Sequence, residues 1–465
     1  MTDFRLRLMT RINVDFSQKT GPIKRMNAVN NGPLPIAEER AVNNFDAYQK
    51  LHIPYARTHD ASFCSRYGGE HTVDVNFIFL CFFADETDPK SYDFQLTDEY
   101  LKTMIDAGTE PFFRLGSKIE HWSKKYNTKK PEDYGKWARI CEHIIAHYVE
   151  GWADGYNWNI DYWEIWNEAD GRPDDAPPEK KECWGGTMAE FFEFYTVVAK
   201  HLKARFPRLK IGGPAVCSVA SAWRGFRLVA KPWVVGFLQF VRANNAPLDF
   251  FSWHGYLNRT EDFTLAAKIA RETLDKYGFT STESILNEWN FLYNWSGDAF
   301  LETVKAITGI RGALFNAAMM IGCQNAPVDM LMYYDARPTI FNGMFDFYTQ
   351  KPLKGYYPFL AFSRLAEMGT QVKASCKCPH IRVLAAEGNG KKGVMVAYYP
   401  STRVSYFIRK RNYRDRKISL PFSEEPKVYL LDENHNLTET TDFVYDGKTL
   451  TVTMKQLSLL YIETK

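Results

Sequence analysis

Tyr162-Trp163-Glu164-Ile165-Trp166-Asn167-Glu168 and Ser284-Ile285-Leu286-Asn287-Glu288-Trp289-Asn290 are two apolar runs, each carrying an Asn-Glu pair toward its end. Each reads as a short buried strand that finishes by presenting a carboxylate. Glu168 and Glu288 lie about 120 residues apart, room for about three strand–helix units at ~40 residues each. That spacing suits a (β/α)₈ barrel, in which chemistry gathers at the carboxyl ends of the strands. Two carboxylates at one barrel mouth are what glycoside hydrolysis needs, an acid for the leaving oxygen and a nucleophile for the anomeric carbon. One such glutamate alone would be read as the cap of a following helix. The matched pair points to chemistry.

The 465 residues exceed one ordinary domain and fit a barrel plus a smaller module. The aromatic fraction of 15% suits a site lined by rings, although most of these rings must be core. Lys plus Arg total 58 against 55 Asp plus Glu, a balance too even for a nucleic-acid partner. Eight cysteines without regular spacing read as buried thiols rather than a disulfide framework. Cys376 and Cys378 with His380 lack the second ligand pair of a zinc site, so no metal or other cofactor is expected. No stretch approaches 18 uncharged apolar residues, and no membrane partner is expected. Met1 to Arg7 has no apolar h-region. The sequence as written is therefore expected to be cytoplasmic, or periplasmic or secreted if a signal peptide preceded it.

Apolar runs and amphipathic segments alternate from about residue 50 to about residue 345. Strands are predicted over 53–59, 111–115, 162–168, 210–214, 249–254, 284–290 and 330–334. Helices are predicted near 97–107, 137–148, 188–204, 300–320 and 356–367. Strands alternating with helices imply a parallel sheet, and about eight units imply closure. The pattern then changes to short strands, with a hairpin turning at Gly388-Asn389-Gly390 and further runs at 428–431, 449–452 and 457–462. The fold class is thus α/β, a (β/α)₈ TIM barrel over residues 21–370 with an accessory antiparallel β-sandwich over 371–465, joined by an N-terminal strand from residues 1–20. The basic run Arg409 to Lys417 reads as a solvated loop.

Six motifs in order resemble glycoside hydrolase family 39, the family of β-xylosidases and α-L-iduronidases within the retaining barrels. They are Arg57-Thr58-His59, Pro131 to Trp137, Trp163 to Glu168, Ile211-Gly212-Gly213-Pro214-Ala215, Asp249 to Tyr256 and Asn287-Glu288-Trp289-Asn290. The resemblance covers most of residues 1–370 and departs in two places. Ala169 stands where a proline usually follows the acid glutamate, and Tyr333-Tyr334-Asp335-Ala336-Arg337 replaces a Trp-x-Phe-Ser-Asp pattern after strand eight.

The resemblance implies a retaining, exo-acting hydrolase of plant-type side chains, β-xylosidase-like, with Glu288 as nucleophile and Glu168 as acid and later base. Their carboxyls should stand about 5–5.5 Å apart. Asn167 is expected to hold the sugar 2-hydroxyl, and Arg57 to keep Glu288 ionised or to serve as an interior salt bridge. His59 and His254 are expected to donate to sugar hydroxyls or to Glu288, and Tyr256 to Glu288. Trp122, Trp184, Trp289 and Trp295 fall in segments expected at the mouth, Trp289 as a substrate contact. Asp335 and Arg337 form the expected specificity pair, Arg337 reading a sugar carboxylate or pairing with Asp335. The implied partner is a carbohydrate, and a homo-oligomer is compatible with the pattern. A sister family acting on arabinofuranosides or galactosides is the nearest rival. A non-catalytic carbohydrate-binding barrel is the remote one, and it would be expected to have lost one of the two glutamates.

Overall fold

The computed structural model of the chain describes residues 9–34, 42–60, 71–117, 129–177, 180–223, 227–339, 341–400 and 415–465. Trp122, the start of the N-terminal run and most of the basic run lie outside these residues.

After β1 (Thr10–Pro22), eight parallel strands close a barrel: β2 (Arg25–Asn30), β3 (Tyr55–Arg57), β4 (Glu110–Leu115), β5 (Tyr162–Ile165), β6 (Lys210–Val216), β9 (Phe250–Leu257), β10 (Glu283–Phe291) and β11 (Met330–Tyr333). A small hairpin, β7 (Ala220–Trp223) with β8 (Arg227–Ala230), interrupts the order after β6. Glu168 follows the fourth barrel strand, and Glu288 lies on the seventh.

The expected alternation began too late. The first barrel strand is β2, Arg25-Met26-Asn27-Ala28-Val29-Asn30, whose polar residues hid it from a search for apolar runs. Asn27 and Asn30 are both buried, and inside the barrel the Asn30 amide donates to the Asn287 carbonyl at 2.7 Å. The helix expected near 300–320 is two helices, Gly297–Thr308 and Ile310–Gln324, meeting at 73°. The extended backbone of Gly309 ends one and starts the other. Among the described residues no single helix is long and apolar enough to cross a membrane.

The pleat explains how the barrel builds a polar layer over an apolar floor. Ala28, Phe112, Tyr162, Phe250, Ile285, Met330 and Met332 form one interior cluster. Side chains two residues apart share a face of a strand. The next inward positions are therefore Asn30, Arg57 (above the partly buried Tyr55), Arg114, Glu164 and Asn287, all fully or nearly buried. The intervening residues, among them Val29, Phe113, Trp163, Phe251 and Leu286, face outward into the large core shared with the helices.

The accessory module is β1 with β12 (Thr370–Cys376), β13 (Ile381–Gly388), β14 (Lys391–Tyr398), β15 (Arg416–Pro421), β16 (Pro426–Leu431), β17 (Asn436–Glu439), β18 (Val444–Tyr445), β19 (Thr449–Met454) and β20 (Ser458–Thr464). These strands form one ten-stranded sheet, antiparallel except where β1 runs parallel to β15. Residues from distant strands, Val428 and Leu460 as well as Leu450 and Val452, share one core. The two layers of the sandwich are thus one sheet curled over itself.

Candidate active site

At the end of β5 the backbone turns sharply. Trp166 and Glu168 have φ of +73° and +49°, left-handed conformations that side-chain-bearing residues adopt at a cost of order 1–3 kcal/mol. Neighbouring strands fix the turn. The Trp166 N–H donates to the Leu115 carbonyl at 2.7 Å, and the Glu168 N–H to the Ala215 carbonyl at 2.9 Å. The Gly-Gly of β6 is required here, because a Cβ on Gly213 (φ +141°) would stand 2.8 Å from the Ile165 carbonyl oxygen. The Trp166 ring packs among Trp137, Trp184 and Phe194. Trp184 therefore belongs to this core and not to the mouth.

On β10 a bulge does the positioning. Leu286 pairs with Trp253 of β9 but Glu288 pairs with the next residue, His254, so Asn287 is the extra residue. A bulge re-aims side chains, and here the consecutive Asn287 and Glu288 both face the barrel interior. Trp289 then falls on the outer face. It is fully buried against Phe315 and Tyr333, which corrects the expectation that it contacts substrate.

Arg57 ties the two glutamate-bearing strands together. Its Nε donates to Glu164 Oε2 at 2.6 Å, one Nη to Glu288 Oε1 at 2.8 Å and Asn30 Oδ1 at 3.1 Å, and the other Nη to Asn167 Oδ1 at 2.7 Å. Glu164 also accepts from Asn287 Nδ2 at 2.6 Å. With its Oδ1 held by Arg57, Asn167 has an Nδ2 that is buried and unpartnered among the described residues.

Glu288 is the most heavily contacted carboxylate. Tyr256 Oη donates to its Oε2 at 2.8 Å, while His59 Nε2 lies 3.2 Å from Oε1 and His254 Nδ1 3.4 Å from Oε2. Burial alone would raise its pKa, but the imidazoles of His254 and His59 together with Arg57 outweigh it and hold the carboxyl well below the usual range. Burial also pushes the Tyr256 phenol up, with the Glu288 charge adding to it, so that hydroxyl stays a donor. His254 Nδ1 is closer still to Glu168 Oε1, at 2.7 Å, and the Glu168 side chain keeps 15% of its surface exposed. One oxygen of Glu168, one of Glu288 and a nitrogen of His254 all lie within 4.8 Å of one another. Arg57 already supplies the positive charge that a cation would bring to that triangle, so it reads as a carboxylate pair.

Asp335 and Arg337 are near the site but paired. Arg337 Nε lies 3.3 Å from Asp335 Oδ2, and its Nη2 lies 3.3 Å from Asp60 Oδ2. A guanidinium between two buried carboxylates is not a reader of a sugar carboxylate, so of the two expected roles the structure favours pairing. Burial raises Asp335 to about 7, Arg337 pulling against it and Asp60 adding to it. Trp295 is 57% exposed with its ring 4.9 Å from that of Tyr256, an aromatic face at the mouth. Sequence reading missed Glu164, Asn30 and Asp60. The signal for Glu164 was a carboxylate at an inward position, two residues after Tyr162, inside an otherwise apolar run.

Residues 62–291 match the glycosyl hydrolases family 39. The chain is 26% identical over 181 residues to a β-xylosidase of Geobacillus stearothermophilus, and 28% identical over 178 residues to one of Caldicellulosiruptor saccharolyticus. Each match covers 36% of this chain and spans only 31% of the length of that curated relative. The solved structure of a glucosidase from Croceicoccus marinus superposes with a TM-score of 0.77 at 21% identity, covering 99% of both chains. Its agreement in fold extends through the accessory sheet. The segment that matches glycosyl hydrolases family 39 carries both glutamates at the mouth of the barrel, and over that segment the chain is similar to this family.

Proposed function

We propose that the protein is a retaining glycoside hydrolase that removes single sugars from the ends of plant-type side chains, with β-xylosides as the preferred class. The observation that carries this reading is the carboxylate pair. One oxygen of Glu168 and one of Glu288 stand within 4.8 Å of each other, which favours the close ~5–5.5 Å carboxyl spacing of retaining enzymes over the ~6.5–9.5 Å that leaves room for water in inverting ones.

Glu288, kept anionic by Arg57, His59 and His254, attacks the anomeric carbon. Glu168 gives its proton to the leaving oxygen as the glycosidic bond breaks. Water then attacks the glycosyl ester, Glu168 takes a proton from that water, and Glu288 is released as a carboxylate. The unpartnered Asn167 Nδ2 donates to the sugar 2-hydroxyl, a bond that strengthens in the transition state. Trp295 offers a ring face to sugar C–H surfaces. The long loops expected from the sequence over 60–95 and 169–187 favour a closed, exo-type pocket.

The β-xylosidase names of the two curated relatives support the choice of sugar. The glucosidase, similar in fold along the whole chain, makes a glucoside the second reading. A panel of aryl xyloside, arabinofuranoside, galactoside, iduronide and glucoside tests the sugar. Glu288→Ala should abolish turnover of every member. Glu168→Ala should spare substrates with good leaving groups and recover rate with azide. If Glu168→Ala cripples an activated aryl glycoside as severely as a natural one, the acid assignment is wrong.

A further inference from the structure

Resting on the function proposed above, we infer that Asp60 is a positioning residue for the nucleophile: it holds His59 as an imidazolium aimed at Glu288, while Tyr334 and Arg337 hold Asp60 in place. His59 is 3% exposed and lies between two carboxylates. Its Nδ1 is 3.0 Å from Asp60 Oδ2 and its Nε2 3.2 Å from Glu288 Oε1. A neutral imidazole has one N–H, whereas the cation has two. Only the cation presents a proton to both carboxylates. Neither contact is a straight hydrogen bond, so both act as charge contacts at ion-pair range.

Asp60 is itself braced from the far end of the barrel sequence. Its Oδ2 accepts from Tyr334 Oη at 2.5 Å and lies 3.3 Å from Arg337 Nη2. Asn31 links the two segments, accepting from the Asp60 backbone N–H at 2.8 Å and donating to Asp335 Oδ2 at 2.7 Å. The Tyr334 ring stands edge-on to His59 at 5.4 Å. Tyr334 and Arg337, which sequence reading placed in a sugar-specifying loop, therefore reach the reacting centre through Asp60 and His59.

Other groups also face this pair, and Asp335 lies within electrostatic reach of His59. Arg57 meets Glu288, and Tyr256 and His254 approach it from β9. Arg114, paired with Asp74 at 2.7 Å, donates to the His59 carbonyl at 3.3 Å, and the Tyr100 hydroxyl donates to Asn31 Oδ1 at 3.1 Å. Burial pulls the His59 pKa down, but Asp60 and Glu288 together pull it up further, so it is raised overall. When Glu288 becomes an ester its charge disappears. Asp60 then remains as the counter-ion, and His59 keeps both protons through the cycle.

The test is a pH titration of ¹⁵N-histidine-labelled full-length protein by NMR, with His59 assigned from a His59→Gln spectrum. It is run beside trapping of the enzyme by 2-deoxy-2-fluoro glycosides with a dinitrophenyl leaving group, which needs no proton from Glu168. Asp60→Asn should lower the His59 midpoint by about one pH unit or more. It should also slow trapping and move the alkaline limb of the trapping rate downward by the same amount. Tyr334→Phe should do the opposite, raising the His59 midpoint, since Asp60 loses a hydrogen bond that disperses its charge. If Asp60→Asn does not fold, Tyr334→Phe decides. An unmoved His59 titration in the folded variants, or a trapping rate lowered equally at every pH, overturns the proposal. A wild-type protein that resists every fluoroglycoside while His59 titrates as expected would instead overturn the hydrolase reading.

Discussion

Replacing Glu164 by glutamine tests whether the buried charge network organises this site. Glu164 has no solvent exposure and accepts from two donors, Arg57 Nε and Asn287 Nδ2, each at 2.6 Å. A glutamine has one carbonyl oxygen, so its amide must face one of these donors with another donor. Each hydrogen bond to a charged group is worth ~1.5–3 kcal/mol. Removing one member of a buried ion pair costs ~3–5 kcal/mol, because the partner charge is left behind. Glu164→Gln should therefore lose about 3–5 kcal/mol, lowering the barrel's melting transition by roughly 5–10 °C. Arg57 would keep Glu288, Asn30 and Asn167 but lose the partner of its Nε. The misplaced nucleophile and 2-hydroxyl donor should cost about 10–100-fold in kcat/KM. Scanning calorimetry and kinetics on the best aryl glycoside measure both. A variant that melts within about 1 °C of the wild type and keeps its activity within about threefold would show that Glu164 does not hold Arg57.

Asp335 has a pKa raised by burial to about 7, above its unfolded value, so the folded state holds an extra proton between about pH 4 and pH 7. Stability should fall as pH rises through that window, and Asp335→Asn should flatten the fall. Denaturation midpoints near pH 5 and pH 7.5 that differ equally in both proteins would contradict this. Asn167→Ala should reduce kcat/KM by about tenfold or more on a natural glycoside but little on its 2-deoxy analogue, since only the former offers the hydroxyl. Equal losses on both would remove Asn167 from the sugar. Trp289→Phe should lower stability through the core it shares with Phe315 while leaving KM within about twofold. A large rise in KM would return Trp289 to the site. Because Arg337 is already held between Asp60 and Asp335, an iduronide should react no faster than the matching neutral glycoside, and a clear preference for the acid sugar would refute that pairing.

The sequence made the barrel legible where strands are apolar on both faces, and the two Asn-Glu ends located the mouth. It hid β2 because Asn30 looks like a loop residue until a closed barrel supplies its partners, the Asn287 carbonyl and Arg57. Alternation alone could not reveal the bulge at Asn287, which sends Glu288 inward and Trp289 outward. Arg57 and Tyr256 stand in contact with Glu288, as the motifs implied, whereas His254 is nearer to Glu168. The contacts of Asp60 with Tyr334 and Arg337 join residues from opposite ends of the barrel sequence. No local pattern announces such a pairing. What stayed unreadable was mostly which polar side chain faces which, because that depends on closure and register rather than on composition.

Double displacement through Glu288 fixes the anomeric configuration of the first-formed product. Proton NMR during the first minutes of hydrolysis of an aryl β-xyloside, or of the best substrate in the panel, should show the β-anomer of the sugar appearing first and mutarotating later. Clean release of the opposite anomer would contradict the account and remove Glu288 as the nucleophile.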